Sequence, residues 1–231
     1  LISKLYIMLA VTASATLQGV TAVPVTVEAN GGEKGEPRCV LVGLPDTAVK
    51  ESLDRILSSL ANSGYSRPRT RVTINLAPGD LRKEGVAFDL PIALCLLAST
   101  GQLPENALQD FLIAGELALS GETRYVRGGL SMAMLAQKEG KKGVLLPPSS
   151  AEEASLSLGI DVFSIGSLAE AVAFFKGEHP REPVRSKKEE LNEISMGGEE
   201  VDFSEVKGQS NVRRAVEVAV AGGHNLLMLG P

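Results

Sequence analysis

The residues with the plainest chemical potential stand at the end of the chain, where the apolar run at residues 225–229 (Asn-Leu-Leu-Met-Leu) leads into Gly230 and Pro231. A buried parallel strand entering a glycine turn is how a phosphate-binding loop begins, because bare backbone directs its N–H groups at anionic oxygens. The same two residues also make an ordinary turn. A second possibility is phosphate neutralisation by Arg67, Arg69 and Arg71, joined by Arg82 and Lys83 beyond the next strand, with Arg124 and Arg127 as a separate patch. Clustered arginines serve nucleic-acid binding, a solvated loop or a ring interface equally well. Lys83 and Asp89 offer an acid–base pair, but Asp89 opens a helix, where a carboxylate stabilises the exposed N–H groups. His224, between Gly223 and Asn225, suits a turn or cap better than a catalytic base.

These residues need elements to position them. Alternation at residues 21–28 and the apolar run 39–42 predict two strands, with Asn30-Gly31-Gly32 as the turn of an antiparallel pair. Pro45 and Asp46 open a helix whose apolar positions Val49, Leu53, Ile56, Leu57 and Leu60 share one face and which stops at Ser63-Gly64. Residues 71–76 predict a strand broken by Ala77-Pro78-Gly79-Asp80, and residues 88–99 an apolar central helix. A hairpin follows (112–119 with 123–126), then helix 130–138, strand 143–146, helix 150–158, strand 162–165 and helix 167–175. This order predicts a mixed α/β or α+β domain. Residues 177–200 carry the charges, prolines and Gly197-Gly198 of a solvated linker, so a domain boundary is expected there. An amphipathic helix, 211–221, precedes the strand at 225–229.

The 231 residues, 44% of them hydrophobic, supply a real core. A net charge of −5 argues against a surface that wraps nucleic acid everywhere. Cys39 and Cys95 sit in apolar runs as small hydrophobes and form neither a zinc site nor a disulfide framework, which fits a reducing cytoplasm. Lys4, residues 5–11 and Ala13-Ser14-Ala15 imitate a secretory signal, but the apolar run is short and alternation continues beyond it. No stretch approaches the roughly 20 apolar residues that span a bilayer.

Three segments carry a family resemblance: Val42-Gly43-Leu44-Pro45-Asp46, then Ile74-Asn75-Leu76-Ala77-Pro78-Gly79-Asp80, then Lys83-Glu84-Gly85-Val86-Ala87-Phe88-Asp89. Together with Asp202-Phe203-Ser204-Glu205-Val206-Lys207-Gly208-Gln209, Arg213-Arg214-Ala215 and Ala221-Gly222-Gly223-His224-Asn225, they resemble the magnesium-chelatase-like AAA+ ATPases of the competence-linked ComM and YifB group. The likeness covers nearly everything after Met8, which matches the start of such proteins and leaves residues 1–7 as upstream or non-native sequence. It implies an α+β domain like the Lon protease and ribosomal S5 domain 2 at residues 8–176, a linker at 177–200, and the opening of an AAA+ module at 201–231. Val206 and Gly208 would then edge the adenine, with Gly230 and Pro231 beginning the phosphate loop. ATP and Mg²⁺ would serve the full-length protein; the fragment, lacking the loop's lysine and hydroxyl residue, is expected to hydrolyse nothing.

Lon-type proteolysis needs a serine nucleophile and a lysine base. In Lon the serine follows Lys-Asp-Gly-Pro and the lysine follows Gly-Gly-Leu or Gly-Gly-Ile. Here Lys83-Glu84-Gly85-Val86 leads to Ala87, and Gly128-Gly129-Leu130 leads to Ser131, so both catalytic positions are empty. The resemblance therefore implies a proteolytically inactive module of a hexameric, ATP-driven motor that acts on DNA as a helicase in branch migration. The alternatives are the ATPase subunit of a metal chelatase, or a module for oligomerisation alone.

Overall fold

A computed structural model describes residues 9–33, 35–81, 83, 85–104, 106–178, 180–184, 203 and 206–230. The chain divides into two compact units, Leu1–Glu190 and Leu191–Pro231. The first is a mixed α/β unit built on a seven-stranded sheet. Its strands are β1 (Leu9–Gln18), β2 (Thr21–Glu33), β3 (Cys39–Val42), β4 (Arg71–Ala77), β5 (Phe111–Ile113), β8 (Gly143–Leu146) and β9 (Asp161–Ser164), in the order β3-β4-β2-β1-β5-β8-β9. A short hairpin, β6 (Glu116–Leu117) with β7 (Thr123–Arg124), stands apart. The helices are α1 (Thr47–Asn62), α2 (Asp89–Ser99), α3 (Gly129–Lys138), α4 (Pro148–Ala154) and α5 (Leu168–Lys176).

Pairing fixes the direction of every strand in the sheet. β2 is antiparallel to both β1 and β4, while β3 is parallel to β4 and β5, β8 and β9 follow β1 in parallel. All strands except β2 therefore point the same way, and their carboxyl ends form one rim.

Alternation along the strands sorts the core into two layers. Leu145 and Phe163 face a cluster containing Val49, Ile56 and Leu60 of α1, all of α2's large apolar residues, and Leu168 and Val172 of α5. Val144, Leu146 and Val162 face the opposite cluster with Met132 and Ala133 of α3 and Ala151 and Ala154 of α4. Helix α2 is buried along all 11 residues, as its lack of a polar face demands.

Several expectations are corrected here. Residues 21–28 and 39–42 are not an antiparallel pair: β4 lies between β2 and β3, and β3 runs parallel to it. Asn30-Gly31-Gly32 lies inside β2, at an irregularity of register. Gly31 is there for approach, since a Cβ would stand 2.7 Å from the Ser99 carbonyl oxygen at the end of α2. The alternation that told against a secretory signal is, by contrast, that of β1, an interior strand whose Thr12 and Ser14 are buried; residues 4–8 lie outside the described residues. The first strand of the expected hairpin splits at Ala114-Gly115 into β5 and β6, because the Gly115 amide donates to the Ala87 carbonyl and its own carbonyl accepts from Leu90. Two residues expected in the linker lie against the unit: the Val184 amide donates to the Val162 carbonyl, and Arg181 reaches both the Ser164 carbonyl and Glu170.

In the second unit, α6 (Ser210–Ala221) forms as expected. Residues 225–229 do not form the expected buried strand: Leu227 and Leu229 are 82% and 89% exposed. A strand exists only through a neighbour that accepts its hydrogen bonds, and none stands beside this run among the described residues.

Candidate functional site

The parallel rim carries a cleft of about 670 Å³. Strand ends and the turns after them build it: Ala15, Thr16 and Leu17 in the last part of β1, Asp46 after β3, Gly85, Val86 and Ala87 after β4, Tyr125, Val126 and Arg127 after β7, and Met132 of α3. The carboxyl ends of parallel strands are where such folds bind ligands, since each chain reversal there opens a gap. The volume falls within the range of ordinary ligand pockets.

Asp46 holds two walls together. Its Oδ1 accepts from the Val49 amide at 2.8 Å, capping α1, and its Oδ2 accepts from the Gly85 amide at 3.2 Å. The Asp46 amide in turn donates to the Lys83 carbonyl at 3.1 Å. Gly43, just upstream at φ +99°, permits this turn; a Cβ there would collide with the Leu76 carbonyl oxygen. Asp46 was legible as a helix start, but its bond to Gly85 joins residues 39 positions apart and had no sequence signal.

Asp89 does something other than the expected capping. It sits in the first turn of α2 but makes no capping bond; its fully buried carboxylate takes a bidentate pair from Arg55, at 2.7 and 3.1 Å, and accepts from the Leu117 amide at 3.1 Å. Burial pushes the Asp89 carboxyl up, while Arg55 and the Leu117 amide pull it down. The hydrogen bond to Asp89 raises the Arg55 guanidinium. Two-point guanidinium geometry is that of an ionised pair. The carboxylate thus ties α1, α2 and β6 together.

Lys83 is not a base for Asp89. It is fully buried, its Nζ donates to the Pro78 carbonyl, and burial pushes its pKa down against the pull of Asp80. It is equally withdrawn from any phosphate-binding surface. Ala87 lines the cleft wall and offers no nucleophilic atom. Ser131 Oγ donates to the Val20 carbonyl at 2.7 Å and does not line the cleft.

The arginines separate. Arg67, Arg69 and Arg71 are exposed at the amino end of β4, across the sheet from the cleft rim, and Arg67 Nε donates to the Leu57 carbonyl at 3.0 Å. Arg124 and Arg127 stand at the cleft end; Arg124 pairs with Glu116 at 3.6 Å, and Arg127 lines the cleft. Arg82 and Pro231 lie outside the described residues. Val206, Gly208 and Gly230 are exposed, and with 225–229 not in a strand the described residues 206–230 assemble no nucleotide cradle. Among the described residues no group of three or more His, Cys, Asp or Glu side chains could hold a metal, and no helix is long and apolar enough to cross a membrane.

The model of the family described as subunit ChlI of Mg-chelatase matches residues 27–150, which include the Asp46 cap of α1, Ala87 and Gly128-Gly129. The chain belongs to this family. A further model, magnesium chelatase subunit ChlI, matches residues 202–231. Over 213 residues, 92% of this chain and 41% of the relative, it is 43% identical to the protein YifB of Escherichia coli. It is 38% identical to the competence protein ComM of Haemophilus influenzae over 96% of this chain and 43% of that one. The chain thus spans about two fifths of the length of these relatives. Shorter likenesses reach the DNA repair protein RadA of Aquifex aeolicus, 33% identical over 44% of this chain and 21% of that one, and the Lon protease of Elusimicrobium minutum, 23% identical over 56% of this chain and 16% of that one.

Proposed function

We propose that residues 8–176 are a Lon-like, S5-domain-2-like module that keeps a protease-type cleft without its nucleophile, residues 177–200 a linker, and residues 201–231 the opening of an AAA+ module. The whole protein is an ATP- and Mg²⁺-dependent hexameric ring that moves on DNA in the cytoplasm, with helicase or branch-migration activity. The observation that carries this reading is the likeness to the competence protein ComM along 96% of the chain. The Lon likeness, with Ala87 in the cleft wall and Ser131 turned onto Val20, supports the inactive-protease half. The exposed Arg67, Arg69 and Arg71 provide a surface for phosphates.

The ATPase rate of the full-length protein, with and without single-stranded or branched DNA across a salt series, tests the motor. Stimulation that weakens as salt rises is expected; no stimulation and no binding would discard it. Casein cleavage would discard the inactive-protease half. Both family models are described by magnesium chelatase, which favours one second reading, an ATPase subunit of a metal-inserting complex. ATPase stimulated by a porphyrin-binding partner and indifferent to DNA would select it.

A further inference from the structure

The chain that follows α5 wraps the outer edge of the sheet. Leu168 and Val172 of α5 pack in the cluster on one face, whereas Val184 packs against the cluster on the other. Between them the chain passes β9, the last strand in the sheet order, which has no strand on its outer side among the described residues. Such an edge presents unpaired backbone groups outward at every second residue. Val162 and Ser164 stand two apart on β9, and both of their carbonyls are taken: the Val184 amide donates to the first at 2.7 Å and Arg181 Nη1 to the second at 2.8 Å. Arg181 Nη2 also pairs with Glu170 Oε2 at 2.6 Å, the oxygen that accepts the Gly166 amide at 2.8 Å. One guanidinium therefore joins the sheet edge to the first turn of α5. These contacts are of weak kinds. Pro180 and Pro183 have no N–H to donate, so the segment adds no ladder to β9. The Arg181 and Glu170 side chains are 33% and 40% exposed, which leaves their ion pair open to water and salt. Val184 itself is only partly buried.

We propose that residues 181–184 are a releasable clasp on the edge of β9, closed by the Arg181–Glu170 pair and opened by its loss while the sheet stays folded. Closed, the clasp covers both outward carbonyls and makes Val184 the point at which the chain leaves the unit. Open, it moves that point back to the end of α5 at Lys176 and adds the intervening residues to the free chain. The inference rests on the reading of residues 177–200 as a linker and gives that linker two lengths. A segment held by one backbone bond and one solvent-facing ion pair opens at far lower cost than the sheet behind it, because opening uncovers little apolar surface and breaks no ladder. The two-point reach of a guanidinium is what lets a single side chain close it.

The test is amide hydrogen exchange on the whole 231-residue chain, read at Val184 and at the amides of β8. In the wild-type chain Val184 should exchange well ahead of β8, and faster still as sodium chloride is raised to about 0.5 M. Arg181→Gln should speed Val184 about fivefold at low salt, remove its response to salt and leave β8 unchanged. Glu170→Gln keeps an acceptor for the Gly166 amide and so spares the first turn of α5; it should have the same effect on Val184. The proposal is overturned if Val184 exchanges as slowly as β8 in the wild-type chain, since the segment is then a fixed part of the sheet. It is also overturned if salt and both variants leave Val184 unchanged, or if β8 accelerates in step with it. Trypsin tests the linker separately, by cutting after Lys187 and Lys188. Resistance there together with a salt-sensitive Val184 would keep the clasp and discard the linker reading; ready cutting with a static Val184 would do the reverse.

Discussion

The two ends of the central sheet are built by different means. At the carboxyl rim, chain reversals are locked by side chains reaching across long sequence separations: Asp46 to Gly85, Asp89 to Arg55 and to Leu117. At the other end of β4, Arg67, Arg69 and Arg71 stand exposed, with Arg67 held through the Leu57 carbonyl. A locked rim preserves the shape of a cleft, while an exposed arginine edge preserves charge and tolerates motion. The unit thus separates a shaped site, with Ala87 in its wall, from an electrostatic one.

Substitutions should break the two ends differently. The largest effect is expected from Asp89→Ala, which strands the Arg55 guanidinium and the Leu117 amide; urea unfolding should show a loss of about 3 kcal/mol. A loss under about 1 kcal/mol would mean that the carboxylate does not hold the rim. At the opposite end, the double variant Arg67→Glu with Arg69→Glu should leave the unfolding midpoint nearly unchanged. It should lower affinity for single-stranded DNA about tenfold and flatten the salt dependence; unaltered affinity would remove the arginine edge from DNA binding.

Lys83 gives a smaller effect that depends on pH. Burial lowers its pKa in the folded state, so the unfolded chain holds more protons between that lowered value and the ordinary lysine value of about 10.4. Stability relative to Lys83→Met should therefore rise with pH across that window and level off above it. A stability difference that stays flat or moves oppositely in paired denaturation curves would show that Lys83 is not buried as a charge. The smallest expected effect is that of Ala87→Ser on proteolysis, which should be nil in a casein assay, because on the proposed Lon-like reading the base position holds Ser131, whose hydroxyl bonds to Val20. Measurable cleavage would show that a hydroxyl at the cleft wall finds another base.

Local signals made much of the fold legible. The apolar spacing of α1, the absence of a polar face in α2 and the β-branched alternation of β4 each required burial in one way. The same local reading failed where partners decided: residues 39–42 were expected to pair with residues 21–28, yet β4 lies between β2 and β3. Asn30-Gly31-Gly32 looked like a turn, yet the glycine admits the end of α2. Residues 225–229 have strand composition but, among the described residues, no adjacent strand.

For the site, the sequence alone determined that Ala87 offers no nucleophilic atom and Ser131 no basic nitrogen in any fold. It also placed arginines in two groups. Only the tertiary structure decided that these groups stand at opposite ends of the sheet, that Asp89 binds Arg55 instead of capping, that Lys83 is withdrawn, and that the end of β1 lines a cleft with Asp46 and Ala87. Those outcomes depend on strand order and direction, which bring together residues dozens of positions apart and which no local pattern encodes.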